Sequence, residues 1–212
     1  MAKTKVAVVK GPKKPGEKEI EASVRKAIEL AGGLADIVKR GDTVIIKPNI
    51  VVVQSQEEGA ANTDPRVCKV IANMVRKLGA KPIIGEASSI GQVTADAIQK
   101  AGYGKLREEG YPVIDFTKEE AVKVPIPRGK KLKEVTLPKI VLDADVLIDV
   151  PKMKTHDQTE VTLSLKNMKG ILYDKGKRSL HHTYGIFEGW LTCAPWSNQP
   201  WLLSMALSPW RV

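Results

Sequence analysis

Apolar positions along the chain fall into two kinds of pattern, compact runs and spaced stripes, and the two alternate. Thr43-Val44-Ile45-Ile46, Pro82 to Gly85, Pro112 to Phe116 and Val146-Leu147-Ile148-Asp149-Val150 are short apolar runs. Such runs predict strands covered on both faces. Lys5 to Val9, a shorter β-branched run, predicts a further strand at the start. Between the runs lie stripes at helical spacing. Ile20, Val24, Ala27, Ile28 and Ala31 mark one helix, stopped by Gly32-Gly33. Val67, Val70, Ile71, Met74, Val75 and Leu78 mark another, which Thr63-Asp64-Pro65 starts and Gly79 ends. Val93 to Ala101 and Tyr103 to Glu109 give two short helical pieces broken at Gly102. Strand and helix in alternation predict an α/β fold with a largely parallel sheet flanked by helices.

Residues 118–142 break this rhythm. Ala121 to Ile126, Glu134 to Leu137 and Lys139 to Val141 are β-like pieces set among prolines, and they predict a small antiparallel β excursion with Lys130-Lys131 at a turn. Thr159 to Lys169 fits two periods. Val161, Leu163 and Leu165 alternate as in a strand, whereas Val161, Leu165, Met168 and Leu172 fit a helical stripe. Because the apolar set continues at helical spacing, helix is the expectation, and it would put Thr159, Thr162, Lys166 and Lys169 on one face.

Charge changes the picture more than composition does. Of 212 residues, 42% are hydrophobic and 27% charged, ordinary values for a globular protein, but the net charge is +10. That balance favours anionic partners. Cys68 and Cys193 lie far apart and outside any metal-ligand spacing, so neither a disulfide framework nor a zinc or iron–sulfur site is expected within this chain. Cys68 falls on a helix face and reads as a small buried hydrophobe. The apolar run Val6 to Val9 is too short for a signal-peptide core and no stretch approaches a membrane span, so a cytoplasmic protein without membrane contact is expected. All four tryptophans fall after Gly189, among three prolines and with no lysine or carboxylate. This divides the chain into an α/β domain over 1–186 and a Trp-rich tail over 187–212, which reads as non-native or disordered sequence.

The candidate chemistry sits where apolar runs end. Lys47-Pro48-Asn49 follows one strand, Glu86-Ala87-Ser88-Ser89 another, and Lys152, Lys154 and His156 a third. Lys166, Asn167 and Lys169 come just before Gly170. Donors released at the carboxyl ends of strands are how an open α/β sheet presents a site. Gathered lysines repel one another, and Asp64, Glu86 and Asp115 are available to offset part of that charge, with a bound anion supplying the rest. His156, after two lysines, has a lowered pKa if those charges are close, which suits a base or a metal ligand. His181-His182, read as lying in the Lys175-Gly176-Lys177-Arg178 loop, adds no metal-ligand spacing, and the loop Gly11 to Gly16 lacks the phosphate-loop pattern. Nucleic acid is disfavoured, since no recognised motif and few stacking aromatics accompany the basic charge.

Taken together, Val44-Ile45-Ile46-Lys47-Pro48-Asn49, Thr63-Asp64-Pro65 with Leu78-Gly79-Ala80, Gly85-Glu86-Ala87-Ser88, Pro151-Lys152-Met153-Lys154-Thr155-His156 and Leu165-Lys166-Asn167-Met168-Lys169-Gly170 resemble the DUF362 family. The resemblance covers roughly Lys3 to Gly185, and the chain departs from the family pattern after about Phe187, as though the domain were incomplete. It implies an association with ferredoxin-type iron–sulfur modules and with redox or anaerobic metabolism. The cluster-binding cysteines of some members have no counterpart here.

Two functions follow as expectations. In the first, the chain binds an anionic small molecule or cofactor through Lys47, Lys152, Lys154, Lys166 and Lys169. Asn49 and Asn167 orient the ligand, Asp64 and Glu86 balance charge, and His156 and Lys166 are the catalytic candidates if a reaction occurs. In the second, the chain is a non-catalytic module or subunit that works beside a ferredoxin-type redox partner. Neither fixes a cofactor, a substrate or a reaction.

Overall fold

The computed structural model describes residues 5–59, 61–126, 133–156, 160–182 and 203–204. Its centre is a sheet in the order β3-β2-β1-β6-β9. The strands are β1 (Thr43–Pro48), β2 (Lys81–Glu86), β3 (Val113–Asp115), β6 (Val146–Val150) and β9 (Leu203–Ser204), and every pair is parallel. The chain moves outward from β1 to β3, then returns to the other side of β1 as β6. That reversal opens a crevice beyond the carboxyl ends of β1 and β6, the place where open α/β sheets hold ligands.

Alternation along β1 explains the two cores. Val44 and Ile46 join Val146, Ile148 and Val150 against α1 (Glu17–Ala31), α2 (Pro65–Lys77), α3 (Thr94–Lys100) and α4 (Tyr103–Glu108). Ile45 faces the other way, into a second cluster with Phe116, Leu137, Met168 and Ile171. Lys47 and Asp149 have the parity of that second face, and the register sets them opposite each other on β1 and β6. The second face is covered by the antiparallel ribbon β4 (Ala121–Pro125) and β5 (Glu134–Pro138), by α5 (Lys139–Leu142), by α6 (Ser164–Asn167) and by the 3-10 turn Met168–Ile171. α7 (Asp174–His182) follows.

Gly85 has a packing reason. A Cβ there would fall on the Phe116 ring, so β2 can pass this close to the second core only as glycine. At Gly32 the reason is conformational, because a φ of 120° ends α1 in a region that other residues rarely adopt.

Four expectations are corrected. Lys5 to Val9 is not a strand. Val6 and Val8 are 84% and 89% exposed, and β propensity without a partner ladder forms nothing. Lys139 to Val141 is helical, as α5. Thr159 to Lys169 is not one helix. Glu160–Thr162 forms β8, which pairs antiparallel with β7 (Lys154–His156), and helix begins only at Ser164. Leu163 between them is extended, at φ −138° and ψ −157°. Of the apolar side chains that suggested a helical stripe, Val161 and Leu165 stay exposed, whereas Met168 and Leu172 are buried. Finally, His181-His182 closes α7 and does not lie in a loop. The turn expected at Lys130-Lys131, residue Thr159 and the Trp-rich tail, Leu203–Ser204 apart, lie outside the described residues.

Candidate functional site

A buried polar chain runs beneath the carboxyl ends of β1, β2 and β6. Lys47 is fully buried, and all three protons of its ammonium have acceptors: Glu86 Oε2 at 2.7 Å, the Pro48 carbonyl at 2.8 Å and Asn167 Oδ1 at 3.2 Å. Glu86 also accepts from the amides of Ile50 at 3.2 Å and Ala87 at 2.9 Å. Burial pushes its carboxyl upward, and Lys47 pulls it back by charge and hydrogen bond. On the far side, the Asn167 amide donates to Asp149 Oδ1 at 2.6 Å, and the Ser164 hydroxyl donates to Asp149 Oδ2 at 2.6 Å. Burial lifts the Asp149 carboxyl to about 6, against the pull of Lys47, Ser164 and Asn167. The chain Glu86–Lys47–Asn167–Asp149–Ser164 thus ties three strands to α6.

Gly170 makes this possible. A Cβ there would land on Glu86 Oε1 and stand 2.8 Å from the Lys47 ammonium. The backbone passes against the ion pair and adds a bond of its own, from the Ala87 amide to the Gly170 carbonyl at 3.0 Å.

Above this floor lies a cavity of about 280 Å³. Asn49, Glu86, Ser88, Thr162, Asn167 and Gly170 line it, with Lys154, Lys166, Lys169 and Lys177. Lys154 is positioned by bonds to Asn49 Oδ1 at 2.6 Å and the Ala61 carbonyl at 2.7 Å. Lys177 is 1% exposed and donates to the carbonyls of Ala87 at 3.0 Å and Ser88 at 2.6 Å. Loss of water pulls the ammoniums down, and so does their mutual repulsion. Lys169 falls to about 7, from burial first and then Lys166 and Lys177, and Lys154 falls to about 8, from burial and then Lys166. Lys177 is lowered by burial, with Glu86 and Asp174 opposing. Four lysines on the cavity wall and Lys47 below it therefore face the carboxylates of Glu86 and Asp149. The Ser88 and Thr162 hydroxyls, on residues each 3% exposed, have no hydrogen-bond partner among the described residues.

The sequence candidates divide. Asn49, Glu86, Lys154, Lys166, Asn167 and Lys169 meet at the cavity, and Lys47 stands directly behind Glu86. Lys47 is not on a rim, because β1 runs on through Pro48 and buries it. Asp64 is engaged elsewhere: it caps α2 by accepting from the Arg66 amide at 3.0 Å and pairs with the Arg66 guanidinium at 2.6 Å. Lys152 is buried and lowered by that burial, with Asp64 the charge that opposes the shift, and it does not line the cavity. Asp115 caps a 3-10 turn through the Thr117 amide. His156 ends β7, and its side chain lies outside the described part of the structure.

Sequence reasoning missed Asp149, Lys177 and the roles of Ser88 and Thr162. A signal existed for Asp149, a single carboxylate inside an otherwise apolar strand. Lys177, in a run of basic residues, offered none. Cys68 is buried against the Tyr103 hydroxyl at 3.5 Å, and burial pushes its thiol up to about 12. Among the described residues, no group of three or more His, Cys, Asp or Glu could hold a metal ion, and no helix is long and apolar enough to cross a membrane.

The chain is similar to a thylakoid-associated protein of Synechocystis sp., with 29% identity over 164 residues, 77% of this chain and 50% of that one. Its fold matches the lactate racemase apoprotein from Thermoanaerobacterium thermosaccharolyticum at a TM-score of 0.56 and 15% identity, covering 89% of this chain and 48% of that one. The chain therefore spans about half the length of both proteins. The family model described as "Domain of unknown function (DUF362)" matches residues 44–198, a span that begins at β1 and takes in the polar floor and every lysine of the cavity, and the chain belongs to that family.

Proposed function

We propose that this part of the protein binds an anionic small molecule in the cavity at the carboxyl ends of β1, β2 and β6. One observation carries the reading. Lys154, Lys166, Lys169 and Lys177, from the successive elements β7, α6, the 3-10 turn and α7, line one cavity, and the only carboxylate among its described lining residues, Glu86, is already paired with Lys47. Ammoniums brought together at this cost in hydration and repulsion are stabilised when an anion joins them. Lys154, Lys166 and Lys169 contact the ligand, while Asn49 and Asn167 fix its orientation. Lys47 and Glu86 hold the floor rather than the ligand. An enzymatic role would draw on Lys166 and on His156 at the end of β7, in a whole protein associated with redox metabolism.

Calorimetric titration with phosphate, succinate and citrate tests this. At least one anion is expected to bind saturably, and Lys166→Ala and Lys169→Ala should each weaken it about tenfold, ~1.4 kcal/mol. Lys123→Ala, on a side chain 72% exposed on β4, should not. Equal affinity in Lys166→Ala and Lys123→Ala would remove the basis of the proposal.

A further inference from the structure

The two partnerless hydroxyls narrow the ligand. Ser88 lies just beyond β2, with its backbone held on both sides: its amide donates to Thr94 Oγ1 at 3.1 Å, and its carbonyl accepts from Lys177. Thr162 ends β8, in register with Lys154 on β7. Both side chains are more than nine-tenths buried, and both residues line the lysine cavity. A buried hydroxyl without a partner costs about 1–3 kcal/mol, so native proteins keep few of them. Two such hydroxyls on residues that line the same lysine cavity are donors placed for oxygens that no described residue supplies.

We infer that Ser88 and Thr162 form, with the cavity lysines, a subsite for the phosphoryl group of a small phosphate ester. The inference rests on the proposed anion site and specifies its ligand. Charge and donor number favour phosphoryl over carboxylate. A phosphate monoester carries close to two negative charges and three terminal oxygens, each able to accept more than one hydrogen bond. A carboxylate carries one charge and two oxygens, too few for three ammoniums and two hydroxyls. Size sets the rest of the molecule. A cavity of about 280 Å³ lies just below the range of roughly 300–1,000 Å³ for drug-sized ligands, so a phosphorylated metabolite of a few carbons fits and a dinucleotide does not.

The test uses inorganic phosphate and glycerol phosphate, with succinate as a dianion of planar carboxylates, titrated into the wild-type chain, Ser88→Ala and Thr162→Val. Wild type is expected to bind both phosphates more tightly than succinate. Each variant should lose about tenfold or more in phosphate affinity and little in succinate affinity. Without ligand, both variants should melt at the same temperature as wild type or higher, because each removes a buried hydroxyl with no partner. A hydroxyl with a purely structural role would lower the melting temperature and leave phosphate affinity unchanged, and that result overturns the inference. Succinate binding as tight as phosphate, with both variants unaffected, also overturns it but leaves the anion site standing. No binding of any of the three anions ends both.

Discussion

Lys47 is the residue on which the site depends, and its partners show why it is a poor candidate for a ligand contact. Every proton on its ammonium is committed to Glu86, Asn167 or its neighbour's carbonyl. Breaking a buried, hydrogen-bonded pair by removing one partner costs about 3–5 kcal/mol, because the other charge stays behind in a dry place. Glu86→Ala is therefore expected to lower unfolding free energy by about that amount in urea titrations. Gly170→Ala should approach it, since the new methyl group occupies the Glu86 carboxylate's position. Because both changes break the same pair, the double variant should cost much less than the two singles added. A loss under about 1 kcal/mol for Glu86→Ala would mean the pair contributes little. At this scale the sequence was half legible. Lys47 and Glu86 stood out by ending apolar runs, but nothing local told a buried, paired lysine from an exposed, ligand-facing one. Lys177 was hidden for the opposite reason: it sits among basic residues that look solvated, and only the packing of α7 over Ala87 and Ser88 buries it.

At the level of elements, α2 separates two roles that charge alone confuses. Asp64 followed by Pro65 reads as a helix start, and it is one. The same carboxylate was a candidate for balancing the lysines, yet its bonds go to the Arg66 amide and guanidinium. Asp64→Ala is expected to destabilise the fold by about 0.5–2 kcal/mol, the usual cost of a lost cap, without changing anion affinity. A large loss of affinity with normal stability would return Asp64 to the site. The segment after β6 shows where periodicity fails. Over a few residues, periods of 2 and 3.6 both fit Val161 to Leu172, and the choice is made by whether a partner strand is present. β7 provides one, so β8 forms, and Thr162 reaches the cavity beside Lys154 from a hairpin rather than from a helix face.

For the whole molecule, the lysine cluster and Asp149 predict an unusual pH profile. Lys169 titrates at about 7 in the fold against 10.5 ordinarily, so between those values the unfolded chain holds a proton that the folded chain does not. Stability therefore rises with pH above about 7, and Lys154 adds to this above about 8. Asp149 titrates at about 6 against 3.8, so there the folded chain holds the extra proton, and stability falls as pH rises through that window. Without ligand, these groups place a minimum between about pH 6 and 7, visible as a dip in melting temperature measured across pH 4–10. Added phosphate should fill the dip, because it favours the protonated lysines, and should stabilise less at pH 9 than at pH 6.5. A melting temperature that changes smoothly through neutrality, with no phosphate effect that depends on pH, would contradict the burial of these charges.

The sequence by itself determined the alternation of strand and helix, the antiparallel excursion, the helix start at Asp64 and the kind of residue waiting at strand ends. These follow from local periodicity, turn chemistry and capping, which act over a few neighbours. Tertiary structure decided which charges meet. It set Lys47 opposite Asp149 across β1 and β6, laid Gly170 against Glu86, buried Lys177, left two cavity hydroxyls without a partner among the described residues, and drew Asp64 and Lys152 away. The physical reason is that hydration and pairing of a charge depend on atoms brought near it by folding, and spacing along the chain carries no record of them.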